Sequence, residues 1–182
     1  LRGAARGFAR LPRRGRRRRG KRGHSSDPRQ GKSVVDLALV TVLNRLAEFK
    51  RRLESIVDAR FNPPFPTMNV GVITTGEGAA KNIIPDYCRL EFDIRPIPGQ
   101  DIDEMFHILA QTISSCVENI EGIRVSVRYN RAPTVTMETP KNAAIVQLTE
   151  QLSGREAQSV CFNTEGGVFN GSGSQSVIWG PA

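Results

Sequence analysis

The chain has few histidines, few cysteines and no long apolar run, and each shortage excludes a class of protein or site. It has two histidines and three cysteines in 182 residues. Cys88, Cys116 and Cys161 are widely spaced and form no Cys-x-x-Cys pair, so we expect reduced thiols and a cytoplasmic location rather than a disulfide framework or a thiolate metal site. Cys88 and Cys116 stand in apolar patterns and are predicted to be small buried side chains. No run suits a signal-peptide core or a membrane span, so we expect no membrane partner.

Acidic residues are missing from the beginning of the chain. Residues 1–22 contain 11 Lys or Arg and no acid, whereas the rest has 15 basic and 18 acidic residues, so the net charge of +8 comes from this segment. Its Arg, Gly, Ala, Leu and Pro show no period that could bury an apolar face, which predicts a disordered tail. Three interpretations stay open: an RNA-binding arm, a targeting segment, or a fragment end or misread reading frame. We favour the last, because these amino acids have GC-rich codons.

After this segment the apolar residues recur first at helical and then at alternating spacing. The predicted elements are a helix over 33–58, strands over 67–74 and 87–94, a helix over 101–119 and a strand over 125–129. One more strand before the first helix would complete a ferredoxin-like two-layer sandwich, an α+β fold with an antiparallel sheet. That strand should lie at residues 10–22, where the arginines stand. We interpret its absence as a sign of a truncated or corrupted N-terminus.

The pattern changes after Pro133. We predict a helix over 140–152, a short strand over 159–162, a glycine-bearing stretch over 164–169 and a strand over 175–179. These elements are too few to close a core. Residues 132–182 are therefore predicted to be part of a larger domain.

Three motifs are spaced so that a histidine, an amide and a guanidinium could converge on an anionic substrate. GHSSDP carries His24, NIIP carries Asn82 and DIRP carries Arg95. Each has a plain alternative. His24 could be a turn histidine before a helix cap at Ser25 or Asp27. Asn82 could be a turn residue, and Arg95 could belong to a surface salt bridge of small value.

A family resemblance rests on these motifs and on further stretches, namely PTMNVGVITTGEGAAKNIIP, DIRPIPG, NTE at 163–165 and WGP at 179–181. Together they resemble the zinc-dependent amidohydrolase and aminopeptidase group that contains acetylornithine deacetylase, succinyl-diaminopimelate desuccinylase, aminoacylase and carboxypeptidase G2. The acetylornithine deacetylases are the most similar. The resemblance implies that residues 23–131 are a ferredoxin-like lid that pairs with the lid of a second subunit. It implies that residues 132–182 are an incomplete C-terminal part of an α/β catalytic domain.

The resemblance also implies a role for individual residues. His24 would reach into the partner's active site, polarise the scissile carbonyl and stabilise the oxyanion. Arg95 would bind the substrate's α-carboxylate through two parallel hydrogen bonds, and Asn82 would bind the same substrate or its oxyanion. Thr164 and Glu165 would lie near the substrate pocket, which the backbone of Gly180 would line. Glu165 equally suits the positive start of a helix.

The family's metal-binding residues are not found in this chain. The family uses two zinc ions, or cobalt, held by histidines and carboxylates, while a glutamate activates the bridging water. The chain has no His-x-Asp motif and no Glu-Glu pair. Its other histidine, His107, matches no family site and is expected to be a packed or surface residue. We therefore expect no metal binding in the family's manner and no activity from this chain alone.

The predicted function is that of a fragment of a homodimeric enzyme that deacetylates N-acetylornithine in arginine biosynthesis, or a related N-acyl amino acid. Another acyl-amino acid or a dipeptide stays open as the substrate, and nucleic acid is not an expected partner. The alternative is a non-catalytic dimerising protein whose arginine arm binds RNA through counterion release.

Overall fold

A four-stranded antiparallel sheet covered by two helices forms the larger part of the molecule. The computed structural model describes residues 5–11, 22–76, 78–160 and 164–180. Its strands are β1 (Ala5–Leu11), β2 (Gly23–His24), β3 (Thr67–Thr74), β4 (Ile83–Ile84), β5 (Cys88–Arg95) and β6 (Ser126–Tyr129). The two helices on the sheet are α1 (Val40–Glu54) and α2 (Ile102–Val117). The sheet order β3-β5-β1-β6 is that of a ferredoxin-like sandwich, which confirms the predicted fold.

β1 corrects the expectation that residues 1–22 are a disordered tail without a strand. The strand expected at 10–22 lies at Ala5–Leu11 and pairs antiparallel with β5 and β6. In the register with β5, the small residues Ala5, Gly7 and Ala9 stand opposite Ile94, Phe92 and Leu90. The densest run of arginines begins only after this strand, so a composition averaged over 22 residues concealed it. β1 thus supplies the strand whose expected absence suggested a truncated or corrupted N-terminus. Residues 1–4 and 12–21 lie outside the described residues.

The core lies between the sheet and the two helices. Along β5, buried and partly exposed residues alternate without interruption, as the predicted period of two requires. The strand buries Cys88, Leu90, Phe92 and Ile94, α1 buries Val42, Leu46, Phe49 and Leu53, and α2 buries Phe106, Leu109, Ile113 and Val117. Both helices thus bury the apolar faces that the sequence predicted.

The first helical stretch begins within one residue of its predicted start and ends earlier than predicted. A π-helical segment, Val35–Leu39, leads directly into α1, and the helix ends at Glu54 rather than near residue 58. Asp58 belongs instead to the following loop, where its N–H donates to the carbonyl of Pro64 at 2.6 Å. The second helix begins as predicted, because the carboxylate of Asp101 accepts two backbone N–H groups of the first turn.

The C-terminal part of the chain contains two short helices, α3 (Ala144–Ser153) and α4 (Gly166–Gly171). The helix predicted from residue 140 begins at Ala144, and the glycine-bearing stretch becomes α4. Residues 175–179 form no strand with any described residue. The Thr139 hydroxyl instead donates to the carbonyl of Ser176 at 2.6 Å and accepts from its N–H at 3.3 Å. Of the strand predicted over 159–162, residues 159 and 160 belong to no strand, and the other two lie outside the described residues.

Large apolar side chains of this C-terminal part are exposed. Leu152 is 69% exposed, Val168 65%, Trp179 58% and Phe169 56%. An extensive exposed apolar surface is typical of a region that contacts further protein. That this part belongs to a larger domain stays a prediction.

Candidate functional site

The two-stranded ribbon of β2 and β4 brings His24 beside Asn82. In the ribbon Gly23 pairs with Ile84 and His24 with Ile83, and the N–H of Ser25 donates to the carbonyl of Asn82 at 2.9 Å. The amide nitrogen of Asn82 lies 3.2 Å from Nε2 of His24. Both side chains are exposed, so a ligand can reach them. Two of the three predicted site residues are therefore neighbours.

A compact turn supports this ribbon. The carboxylate of Asp27 accepts the backbone N–H of Arg29 at 3.3 Å and its guanidinium at 2.8 Å, which caps the single turn Pro28–Gln30. The hydrogen bond from the Arg29 side chain, followed by that from Gln30, lowers the pKa of Asp27. Gly31 ends the turn against Ile84, where a Cβ would lie 2.6 Å from Cδ1. Asp27 therefore caps this single turn and not the long helix that follows.

Ser26 is a partner of His24 that the sequence analysis missed. Its hydroxyl lies 2.7 Å from Nδ1, and its backbone N–H donates to the same nitrogen at 3.2 Å. A neutral imidazole has one donor and one acceptor nitrogen, so acceptance at Nδ1 leaves the proton on Nε2. Nε2 faces Asn82, whose amide presents its oxygen to that proton when it turns about the terminal torsion. The serine two residues after the histidine was the available sequence signal.

Arg95 does not join His24 and Asn82 in this copy of the chain. The ribbon leads into the Cys88 end of β5, whereas Arg95 ends that strand opposite Thr67. Eight residues at about 3.3 Å per residue place the two ends of β5 roughly 23 Å apart. The Nε of Arg95 donates to the carboxylate of Asp93 at 2.8 Å. This is a salt bridge of the kind named above as the alternative role of Arg95. The structure therefore places Arg95 at the far end of β5 from the ribbon, and the convergence of all three residues on one substrate stays a prediction.

The C-terminal candidates lie around the start of α4. Glu165 is exposed and precedes the first helical residue, as its alternative role predicted, but its side chain forms no cap hydrogen bond. The Thr164 hydroxyl accepts the N–H of Gly166 at 3.1 Å. Gly180 is exposed, and a Cβ there would meet no atom within 4 Å. The substrate-binding roles of these three residues stay predictions.

The described cysteines and the second histidine are engaged in contacts of the fold. Cys88 is fully buried, as predicted, and burial raises its pKa to about 11. Cys116 is partly buried, its pKa is raised by burial, and its thiol donates to the carbonyl of Ile113 at 3.1 Å. His107 lies on the surface of α2, with Nε2 2.8 Å from the amide of Gln111. Cys161 lies outside the described residues.

The described residues do not fit the zinc or cobalt site that the family resemblance implies. Among them, no group of three or more His, Cys, Asp or Glu side chains could hold a metal ion. His24 has a serine and an asparagine as neighbours rather than carboxylates. The arrangement can donate hydrogen bonds to a carbonyl oxygen or an oxyanion, and we derive no step through a metal.

Comparison with known families identifies this region. Residues 17–120 match the peptidase dimerisation domain of the M20 family. The chain belongs to the M20 peptidase family. The match contains the ribbon with His24 and Asn82 and the strand that ends at Arg95. The M20 dimerisation domain is thus the region in which all three lid candidates lie.

The relatives of this M20 chain include several acetylornithine deacetylases. It is 33% identical over 171 residues to the acetylornithine deacetylase of Myxococcus xanthus, covering 90% of this chain and 42% of that enzyme. It is 35% identical over 150 residues to that of Proteus mirabilis, covering 80% of this chain and 37% of the relative. The chain therefore spans less than half the length of these relatives.

Solved structures of the family share the fold. Aminopeptidase PepT from Bacillus cereus has a TM-score of 0.60 and 14% identity, covering 96% of this chain and 42% of its own. The M20 metallo-carboxypeptidase Sso-CP2 from Sulfolobus solfataricus has a TM-score of 0.60 and 16% identity, covering 93% and 54%. At such identities the likeness concerns the fold alone. Within the described part of the chain, no helix has the length and apolar character needed to cross a bilayer.

Proposed function

We propose that this chain is the lid and part of the catalytic domain of an amidohydrolase that removes the acetyl group from N-acetylornithine or a closely related N-acyl amino acid. The observation that carries the proposal is the pairing of His24 with Asn82 inside a region matched as a peptidase dimerisation domain. The names of the relatives support the substrate. Arginine biosynthesis is the corresponding pathway. A cytoplasmic location rests on the cysteine pattern alone and stays a prediction.

The chemistry proposed for the pair is stabilisation of the oxyanion. Nε2 of His24 donates its proton to the oxygen that becomes negative when the amide carbon turns tetrahedral. The amide of Asn82 lies beside Nε2, and its N–H can donate to the same oxygen. Ser26 holds Nδ1 and so keeps the proton on Nε2. Removing one such donor typically lowers kcat by about 10²–10³-fold.

Arg95 is proposed to bind the substrate's α-carboxylate in a different active site from the one that the same copy's His24 serves. Within one copy, Arg95 ends a strand roughly 23 Å long, and the ribbon that carries His24 precedes the other end of that strand. In a homodimer, Arg95 of one copy and His24 of the other can meet. The separation within one copy thus supports the expectation that His24 acts in the partner's active site.

We propose that the homodimer forms through β3. Among the described strands, β3 pairs with β5 alone and is an edge of the sheet. Val72 and Ile73 in its second half are 45% and 48% exposed. An exposed strand edge with apolar side chains is suited to pairing with another strand. Light scattering on the purified chain should give a dimer, and Val72→Lys should give a monomer.

Val57→Lys is the matched control for the dimer test. Val57 is 66% exposed, and it lies after α1 rather than on the sheet edge. This variant should remain dimeric at the same protein concentration. A dimer that survives Val72→Lys and Ile73→Lys together would reject β3 as the interface.

The catalytic proposal can be tested in a chimera. Residues 5–131 of this chain, which include β1, would replace the aligned region of the Myxococcus xanthus acetylornithine deacetylase, and acetate release from N-acetylornithine would be followed. We expect turnover, with kcat about 10²–10³-fold lower in the His24→Ala chimera. His107→Ala is the control and should retain the parent rate. A folded chimera in which His24→Ala has no effect would contradict the role of His24.

The 182-residue chain alone is proposed to be inactive. The described residues contain no metal-binding group, and the exposed apolar side chains near α4 point to contacts with further protein. The purified chain should show no hydrolysis of N-acetylornithine in the presence of zinc or cobalt. Steady turnover that scales with chain concentration would contradict this.

The RNA-binding alternative stays a prediction. The arginines of 12–21 lie outside the described residues, and none of the described contacts favours it. It predicts a salt-dependent shift of labelled RNA that is lost when those arginines are replaced by glutamine. A shift that persists after the replacement would reject the arginine arm as the binding element.

A further inference from the structure

A groove lies between α1 and α2 on the helical layer. Its volume is about 260 Å³, and its lining residues are Arg45, Glu48, Phe49 and Arg52 of α1 and Thr112, Ser115 and Cys116 of α2. The volume is slightly below the roughly 300–1,000 Å³ of typical small-molecule pockets. The groove therefore suits a small ligand or a single charged group of a larger one.

Arginines dominate the charge of this groove. Arg45 and Arg52 are seven residues apart, or about two helical turns, so they stand on the same face of α1 above Phe49. Arg45 donates to Glu48 at 2.8 Å through one of its five N–H groups. Among the residues that the structure describes, the Arg52 side chain forms no hydrogen bond or salt bridge, and only its charge acts on Glu48. The planar guanidinium of Arg52 is therefore available to donate to a hydrogen-bond acceptor.

The other lining groups do not add a second negative charge. The Arg45 side chain, aided by the charges of Arg51 and Arg52, keeps the pKa of Glu48 below its usual range. This carboxylate is already paired. Cys116 remains a neutral thiol, because burial raises its pKa. The hydroxyls of Thr112 and Ser115 donate to main-chain carbonyls at 2.8 and 3.1 Å, so their positions are fixed.

We propose that the groove between α1 and α2 binds a small oxyanion, a carboxylate or phosphate group, held by the guanidiniums of Arg52 and Arg45. Guanidinium matches both groups with two parallel hydrogen bonds. Phe49 supplies an apolar floor for the ligand's carbon skeleton. The inference is independent of the proposed deacetylase function, since none of these residues belongs to that site.

The test uses the full 182-residue chain labelled with ¹⁵N. Inorganic phosphate, and acetate in a parallel series, would be titrated at constant ionic strength while the arginine side-chain N–H signals are followed. We expect saturable chemical-shift changes of the Arg52 and Arg45 side-chain N–H signals. Arg52→Gln should raise the Kd about tenfold or more, because it removes a charged pair of hydrogen bonds. Saturation by either ion supports the site and identifies which oxyanion it prefers.

Arg51→Gln is the matched control. It removes the same charge from the adjacent residue, which does not line the groove. It should change the Kd by less than about twofold, because only a screened long-range charge is lost. Arg52→Lys keeps the charge but lacks the guanidinium's paired N–H donors. It should raise the Kd by a factor between those of Arg51→Gln and Arg52→Gln. Equal effects of Arg51→Gln and Arg52→Gln on the Kd would overturn the proposal, and so would a titration in which neither ion produces saturable shifts. The groove would then be an ordinary solvated helix surface.

Discussion

Asn82 places its amide nitrogen 3.2 Å from Nε2 of His24, although 58 residues separate the two in sequence. Backbone pairing of β2 with β4 creates this contact, since His24 stands opposite Ile83 in the ribbon. The pair is therefore built from two short strands that carry little of the core. Its geometry depends on the turn after β2, whose Gly31 packs against Ile84 of β4.

The first prediction concerns the protonation of the His24 ring. Because the N–H of Ser26 donates to Nδ1, the neutral ring should have its proton on Nε2. Long-range ¹H–¹⁵N spectra of the chain at a pH where both histidines are neutral should show this tautomer for His24. His107, whose Nε2 faces the Gln111 amide, provides the comparison signal. A proton found on Nδ1 of His24 would contradict the oxyanion role as described.

The second prediction concerns Gly31. A methyl group at this position would lie 2.6 Å from Ile84 Cδ1, so Gly31→Ala should displace the ribbon and cost about 1–3 kcal/mol of unfolding free energy. Urea unfolding and the ring signals of His24 would both report it. Gly180→Ala, where a Cβ meets no atom within 4 Å, should leave the unfolding free energy within about 0.5 kcal/mol of the parent. Equal stability of the two variants would show that the turn is not tightly packed.

The third prediction concerns Cys88 and pH. Burial raises the pKa of this thiol from 9.0 to about 11, so the folded state keeps a proton that the unfolded chain releases. The unfolding free energy should therefore fall as the pH rises from about 9 to 11. Below that window this thiol adds no pH dependence, because it is protonated in both the folded and the unfolded state. The difference in urea midpoint between the parent and Cys88→Ala should shrink across the same window. A constant difference would mean that the thiol ionises equally in both states.

Much of the fold could be predicted from the sequence, because periodicity reports burial directly. β5 alternates along its whole length and α2 repeats its apolar residues every three or four positions, and both occur near their predicted bounds. β1 could not be predicted in this way, because its short pattern adjoins a dense run of arginines. The strand over 175–179 failed for another reason: a strand needs a hydrogen-bonding partner, and Thr139 binds that segment instead.

The candidate site was predicted in part. The strand predicted over 87–94 already placed Arg95 at its far end. The motifs also identified His24 and Asn82, but sequence spacing could not reveal that pairing of β2 with β4 brings them together. The same limit applies to Ser26, whose contact with Nδ1 depends on the turn after β2. Motifs and their spacing therefore predict candidate site residues more readily than they predict which of those residues are in contact.

The central claim, that His24 and Arg95 of different copies serve one active site, can be tested by mixing two inactive chimeras. His24→Ala and Arg95→Ala chimeras would be unfolded together and refolded at equal concentration, and N-acetylornithine hydrolysis would be compared with each variant alone. Random pairing makes half of the dimers mixed, each with one intact site of two, so about a quarter of the parent activity should return. No recovery in a mixture shown to contain mixed dimers would contradict the account.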